Sequence, residues 1–277
     1  MEFETIDSHQ HFWHYHPVQH GWIDDAMAVI RKDFLPADLE PVLKQNGVAA
    51  CVAVQAEQTE EETEFLVRLS NEDSFIKGVV GWVDLRAADV KKRLQYFSQY
   101  PVIKGFRHVL QGEAPEFMLQ PSFINGIAAL QAFGYSYDIL IFPNHLPAAL
   151  QLVRQFPNQP FVIDHLAKPY IKAGLIDEWK KGLSALAEHE NVHCKISGMV
   201  TEADYKFWKS SDFTPYLDAV VEAFGIERIM FGSDWPVCLV AADYGRMMSI
   251  VKDYFAGFSK EEQADFFGMN AKRFYKL

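Results

Sequence analysis

Two histidines one residue apart, His9 and His11, stand near the start of the chain. A strand repeats its side chains every two residues, so both imidazoles point to one side, a geometry that suits two nitrogen ligands on one metal ion. A third histidine, His165, and a carboxylate, Asp234, close short apolar runs far downstream. Three neutral imidazoles and a carboxylate are common ligands of zinc or a similar divalent ion, and a placed carboxylate can take a proton from water. Singly, each has a plainer role: a chance His-x-His pair, a hydrogen-bonded core histidine, a helix cap. Convergence is what would make them a reaction centre.

The elements that must position them read as eight β-rich runs. These are Phe3 to Asp7, Val48 to Gln55, Ile76 to Val83, Val102 to Arg107, Tyr135 to Phe142, Phe161 to Asp164, Val192 to Ile196 and Ile229 to Phe231. Helical patterns follow each, one opening at Pro36-Ala37-Asp38 and closing at Asn46-Gly47, others following Thr59, Ala87, Pro121, Pro147, Leu175 and Phe213, with extra helices from Tyr244 onward. Such alternation predicts a parallel sheet covered by helices. Eight units favour a single (β/α)8 (TIM) barrel over residues 1–277, with an open doubly wound sheet as the alternative. The irregular stretch from His11 to Phe34, rich in aromatics and histidines, would lie over the mouth as a rim or partial lid. Within it His14, His16 and His20 are read as surface or rim residues.

Barrel enzymes carry their reacting groups at the carboxyl ends of strands. Here those ends read Asp7-Ser8-His9-Gln10-His11, Gly105-Phe106-Arg107-His108, Pro143-Asn144-His145, Asp164-His165-Leu166-Ala167-Lys168, Lys195-Ile196-Ser197-Gly198 and Gly232-Ser233-Asp234-Trp235-Pro236. Ser233 as a nucleophile has little support, since no Gly-x-Ser-x-Gly elbow surrounds it.

Composition narrows the class. A formal net charge of -11 argues against a nucleic-acid partner, because phosphate binding needs a basic surface. Hydrophobic residues at 49% supply a large core, which sets disorder aside. The three cysteines, Cys51, Cys194 and Cys238, are too few and scattered for a disulfide framework or a thiolate zinc site, so a reducing compartment fits. With no basic leader followed by an apolar run, and no apolar stretch near the ~20 residues of a membrane span, the expectation is a soluble, cytoplasmic protein. A homo-oligomer is left open.

Taken together, Ile6-Asp7-Ser8-His9-Gln10-His11-Phe12-Trp13, Gly105-Phe106-Arg107-His108, Val162-Ile163-Asp164-His165-Leu166-Ala167-Lys168-Pro169 and Phe231-Gly232-Ser233-Asp234-Trp235-Pro236-Val237 resemble the amidohydrolase superfamily. Within it they are similar to the amidohydrolase-2 group, which includes sugar-lactone hydrolases of the L-fuconolactonase and L-rhamnono-lactonase type. The resemblance implies hydrolysis of a small-molecule sugar lactone in carbohydrate metabolism, with Asp234 as general base and His165 and His108 assisting. His9, His11, His165 and Asp234 would hold one divalent ion, zinc first. Without a metal, Arg107, His108 and the histidines would act as hydrogen-bond donors. Trp13, Trp82 and Trp235 could stack on the sugar, while Gln55, Arg107, His108 and Lys168 could reach its carbonyl or hydroxyls. Two-metal relatives carry a bridging lysine or carboxylate on the fourth strand, where this chain has Arg107-His108, so a second metal is not expected. His145 lies beyond Pro143, which leaves its place as a ligand open. The alternatives are another reaction of the group (amide or aromatic-lactone hydrolysis, decarboxylation) and a non-catalytic sugar-binding barrel.

Overall fold

In the computed structural model, residues 4–277 are described; Phe3, the expected start of the first strand, lies outside them. The strands are β1 (Thr5–Gln10), β2 (Val48–Val54), β3 (Ile76–Gly81), β4 (Ile103–Val109), β5 (Ser136–Leu140), β6 (Phe161–Ile163), β7 (Val192–Ile196) and β8 (Ile229–Phe231). Each pairs in parallel with the next, in chain order from β1 to β8. The chain then meets itself. The amide of Asp234 donates to the His9 carbonyl at 2.8 Å, and that of His11 to the Trp235 carbonyl at 2.7 Å. Below them Ser8 Oγ donates to the Phe231 carbonyl at 2.6 Å. These bonds join the last strand to the first, so the sheet curls into a nearly closed barrel rather than an open sheet.

Helices α1 (Pro36–Asn46), α2 (Glu60–Glu72), α3 (Val90–Phe97), α4 (Pro121–Phe133), α5 (Leu146–Gln155), α6 (Asp177–Ala187), α7 (Thr214–Phe224) and α8 (Tyr244–Phe255) surround it. Their limits follow local chemistry. Pro36 sits at the start of α1, where its missing N–H costs nothing, and Gly47 ends the helix with φ 71. Thr59 caps α2 by accepting from the Glu62 amide. The β-branched strand interiors pack against the apolar faces of these helices in one large buried core.

A second, smaller core lies within the barrel: Ile6, Val52, Val54, Val80, Val162 and Met230 pack with Ala271 and Tyr275. The last two belong to α10 (Asn270–Tyr275), which follows α9 (Lys260–Ala264) through one π-helical turn at Asp265–Met269. Gly268 in that turn lies so close to the Glu4 carbonyl that a Cβ would collide with it. Among the described residues no helix is long and apolar enough to cross a membrane.

The long connection after β1 is anchored at its neck. Trp13 and Phe34 form an antiparallel bridge, each amide donating to the other's carbonyl, at 3.0 and 2.9 Å. Between them the chain makes one 3-10 turn, Asp25–Ile30.

Candidate active site

The seam between β1 and β8 builds the first half of the site. His9 Nε2 stands 3.2 Å from His11 Nε2, so the two-residue period does turn both imidazoles inward together. His11 Nδ1 lies 2.7 Å from the Val54 carbonyl, which leaves Nδ1 protonated and Nε2 with its lone pair toward the centre. Asp234, with φ 57, brings Oδ1 to 3.4 Å from His11 Nε2. Its other oxygen, Oδ2, is buried and has no hydrogen-bond partner. Asp7 holds the seam from behind. Its Oδ1 accepts from the amides of His9 (3.1 Å) and Ser233 (2.8 Å), and its Oδ2 accepts from the Tyr244 hydroxyl at 3.0 Å. Burial nevertheless pushes its carboxyl up to about 6.

The second half comes from a left-handed turn. After three strand residues the chain leaves β6, and His165, Leu166, Ala167 and Lys168 take φ values of 53, 55, 57 and 51. For non-glycine residues that conformation costs ~1–2 kcal/mol each, a local cost of the kind that recurs at functional sites. It turns His165 and Lys168 toward the same cavity. His165 Nδ1 is 2.8 Å from Ser197 Oγ, and Nε2 is 3.8 Å from Asp234 Oδ1. Gly198, with φ 59, makes room, since a Cβ there would come within 2.6 Å of His165 Nδ1 and 3.1 Å of Asp234 Oδ2. Lys168 Nζ donates to Thr201 Oγ1 at 3.1 Å and pairs with Glu202 Oε1 at 3.0 Å. Burial works against its ammonium, yet Glu202 and Asp234 hold its pKa above the ordinary lysine value.

Beneath the imidazoles lies a network of buried charges. Lys195 Nζ donates to Asp138 Oδ2 at 2.6 Å, pairs with Asp164 Oδ1 at 3.0 Å and stands 3.2 Å from His9 Nδ1. Asp138 Oδ2 also accepts from the Tyr275 hydroxyl at 2.7 Å. Arg107 Nη1 donates to Asp164 Oδ2 at 3.0 Å and lies 3.2 Å from His9 Nε2, while Nη2 donates to the Gln55 carbonyl. Asp164, Lys195 and Asp138 had no assigned role in the sequence reading, although Asp164 and Lys195 stand in its strand-end segments. The missing signal was which face of each strand they occupy.

Electrostatics follow from this burial. Desolvation lowers the His165 imidazole to about 3, holds His9 well below its ordinary value and lowers His11, so all three are neutral at pH 7. Burial pushes Asp234 up, but the electrostatic surroundings, His165 first and Lys168 with it, outweigh it and keep the carboxyl well below the usual range. Asp234 is therefore ionised at neutral pH. One consequence is measurable. His165 has a folded pKa of about 3 against 6.5 unfolded, so below pH 6.5 the unfolded chain binds the extra proton. Its contribution to stability is full above 6.5 and is lost as pH falls toward 3. In chelator-treated protein, His165→Asn, whose side chain tolerates the left-handed backbone, is expected to flatten the fall in urea midpoint across that window; an unchanged slope would count against a neutral buried imidazole.

The cavity over this cluster has a volume of about 550 Å³. Of the residues singled out in the sequence, His11, Arg107, His165, Lys168 and Asp234 line it, and His9 lies fully buried beneath. The other expected contacts lie elsewhere. His108 neighbours Arg107 on β4, so the pleat turns it the opposite way, to stack on Phe117 and accept from Trp82 Nε1 at 3.4 Å. Gln55 is buried, its amide donating to the Arg107 carbonyl at 3.3 Å. Trp13 donates Nε1 to the Lys32 carbonyl at 2.9 Å, and Trp235 packs edge-on against Phe34. His145 Nε2 is 3.0 Å from the Glu113 carbonyl, away from the cluster. His20, read as a rim residue, is buried. Trp22 is the tryptophan that reaches the cavity.

Could these residues hold a metal? Among the described residues two groups bring ligand atoms together, His9 with His11 and Asp234, and His9 with Asp164 and His165. Two nitrogens on one tetrahedral zinc stand roughly 3.3 Å apart. The 3.2 Å between the imidazole nitrogens and 3.4 Å to Asp234 Oδ1 match that spacing, and the unpartnered Asp234 Oδ2 adds a free donor. The first group fits.

Comparisons with known proteins give the family. The pattern of the family described as Amidohydrolase matches residues 6–277. A protein of Burkholderia multivorans named L-fucono-1,5-lactonase is 39% identical over 284 residues, covering 98% of this chain and 96% of its own. A crystal structure of an amidohydrolase from Burkholderia multivorans with bound zinc superposes with a TM-score of 0.95, at 39% identity, covering 99% of each chain. A probable 2-pyrone-4,6-dicarboxylic acid hydrolase of Acinetobacter baumannii shares the fold, with a TM-score of 0.79 at 19% identity over 99% of this chain and 100% of that one.

Proposed function

Since the chain belongs to the amidohydrolase family, we propose that it opens a sugar lactone of the L-fucono-1,5-lactone type to the aldonic acid, with Asp234 as general base. The observation that carries this reading is the Asp234 carboxylate, ionised, with one buried oxygen free of hydrogen-bond partners, on a residue that lines a cavity together with His11 and His165. The 39% identity to a protein named for that reaction, over nearly the whole chain, gives the substrate class.

The Asp234 carboxylate takes a proton from a water while the water oxygen bonds to the lactone carbonyl carbon, and the carbonyl electron pair moves onto its oxygen. Arg107 and Lys168, both lining the cavity, are the cations that stabilise that charge. When the tetrahedral intermediate collapses, the bond to the ring oxygen breaks and the departing oxygen recovers the proton from Asp234. His9 and His11, with Asp234, would hold a divalent ion, zinc by the relative's example, which when bound supplies polarisation of the carbonyl and a more acidic water. His165, held by Ser197, stands beside the carboxylate with Nε2 3.8 Å from Asp234 Oδ1. A neutral polyol suits the cavity, because its two cations are already paired, Lys168 with Glu202 and Arg107 with Asp164. The three cysteines are free and buried, in keeping with a cytoplasmic setting.

The test is a pH-indicator assay of purified protein on a panel of aldonolactones, with and without zinc. Turnover of one or more six-membered aldonolactones is expected; failure on every lactone, in both conditions, would remove the proposal.

A further inference from the structure

The loop after β1 places one large, exposed aromatic at the cavity. Trp22 lines the cavity and is 44% exposed. It does not hang free. The Trp13 ring supports it edge-on, centroids 6.0 Å apart at 90°, and the His20 ring lies 6.5 Å away. Trp13 is itself fixed by the Lys32 carbonyl and the bridge to Phe34.

His20 links this platform to a carboxylate. It is 1% exposed, and its Nδ1 lies 3.2 Å from both the amide and the carbonyl of His16, which fixes the ring's orientation. Its Nε2 has no hydrogen bond and points at Glu57 Oε1, 3.4 Å away. Glu57 lines the same cavity, on the β2–α2 connection. That connection is held in turn by Glu62, whose carboxylate accepts from the Ala56 and Glu57 amides at 2.5 and 2.6 Å. A supported aromatic face beside an oriented carboxylate matches a polyol ring, which presents C–H groups on one face and hydroxyls around its edge.

We propose that Trp22 and Glu57 form the subsite that selects hydroxylated lactones, Trp22 covering the C–H face of the ring and Glu57, steadied by His20, accepting a ring hydroxyl. The assignment rests on the lactonase reading above but makes a separate claim. Neither residue touches the reacting carbonyl, so both act on binding rather than on the chemical step.

Kinetics and direct binding together test it. Trp22→Ala is expected to raise KM for the best aldonolactone about tenfold with kcat within about twofold, and Trp22→Phe to restore most of the loss. Glu57→Gln should raise KM for that lactone yet leave δ-valerolactone, which lacks hydroxyls, unchanged. Calorimetry of the same lactone with Asp234→Asn protein, with and without the added Trp22→Ala change, reads affinity without turnover. An active wild type whose KM is unmoved by Trp22→Ala overturns the subsite while the lactonase reading stands. An inactive wild type that binds the lactone in a Trp22-dependent way does the reverse, and neither binding nor turnover removes both.

Discussion

Asp234→Asn is expected to lower kcat by ~10²–10⁴-fold, the usual contribution of a general base, while the protein melts near the wild-type temperature. The fold should survive because asparagine accepts the left-handed φ of 57 at this position and keeps the side chain's size. The amide can still fill the space beside His11, but it has no lone pair able to take a proton from water. KM should stay close to wild type, since the ring contacts are made elsewhere in the cavity. A thermal melt beside the lactone assay separates the two effects. Activity within tenfold of wild type would remove Asp234 as the base.

The largest loss of stability is expected from Lys195→Met. Lys195 is fully buried and bonds two carboxylates that are themselves without exposure, Asp138 and Asp164. Asp164 keeps Arg107 when the ammonium is removed, whereas Asp138 keeps only the Tyr275 hydroxyl. Breaking a buried pair by deleting one partner costs ~3–5 kcal/mol, because the other charge stays behind without compensation. The pH dependence carries the sign. Burial already pushes the Asp138 carboxyl up to about 6 against Lys195, and without Lys195 it rises further. A raised folded pKa makes its contribution full at acid pH and lost as pH rises through that value. Lys195→Met should therefore be least impaired near pH 5 and most impaired at pH 8, and adding Asp138→Asn should recover much of the loss. Urea midpoints at the two pH values decide it; equal deficits at both would mean that lost packing, rather than a stranded carboxylate, is the cause.

Much of this was legible in the residues themselves. The eight strands emerge from the Val/Ile/Phe runs, since a buried parallel strand needs apolar side chains on both faces. His9 and His11 could be paired in advance because the two-residue period fixes their relation. Arg107 and His108 could not be separated without the register: adjacent strand residues face opposite ways, and a slip of one residue exchanges them. The same ambiguity hid Lys195, which looks from its neighbours like any strand-end lysine yet points inward to three partners. His165 and Lys168 reach one cavity for a different reason. A left-handed run of four non-glycine residues breaks the alternation, and no propensity announces it. The tryptophans at 13, 82 and 235 were plausible stacking groups by type, but tertiary packing assigned that exposure to Trp22.

The joining of β8 to β1 carries one more implication. Two of the hydrogen bonds that zip the sheet shut are made by the backbone of His9, His11, Asp234 and Trp235, so the proposed reacting groups ride on the latch itself. A chain with seven strands assembled and that latch undone holds the histidines and the carboxylate apart. Hydrolytic competence thus depends on that latch being closed, which makes lactone turnover a gauge of whether the ring of strands is complete.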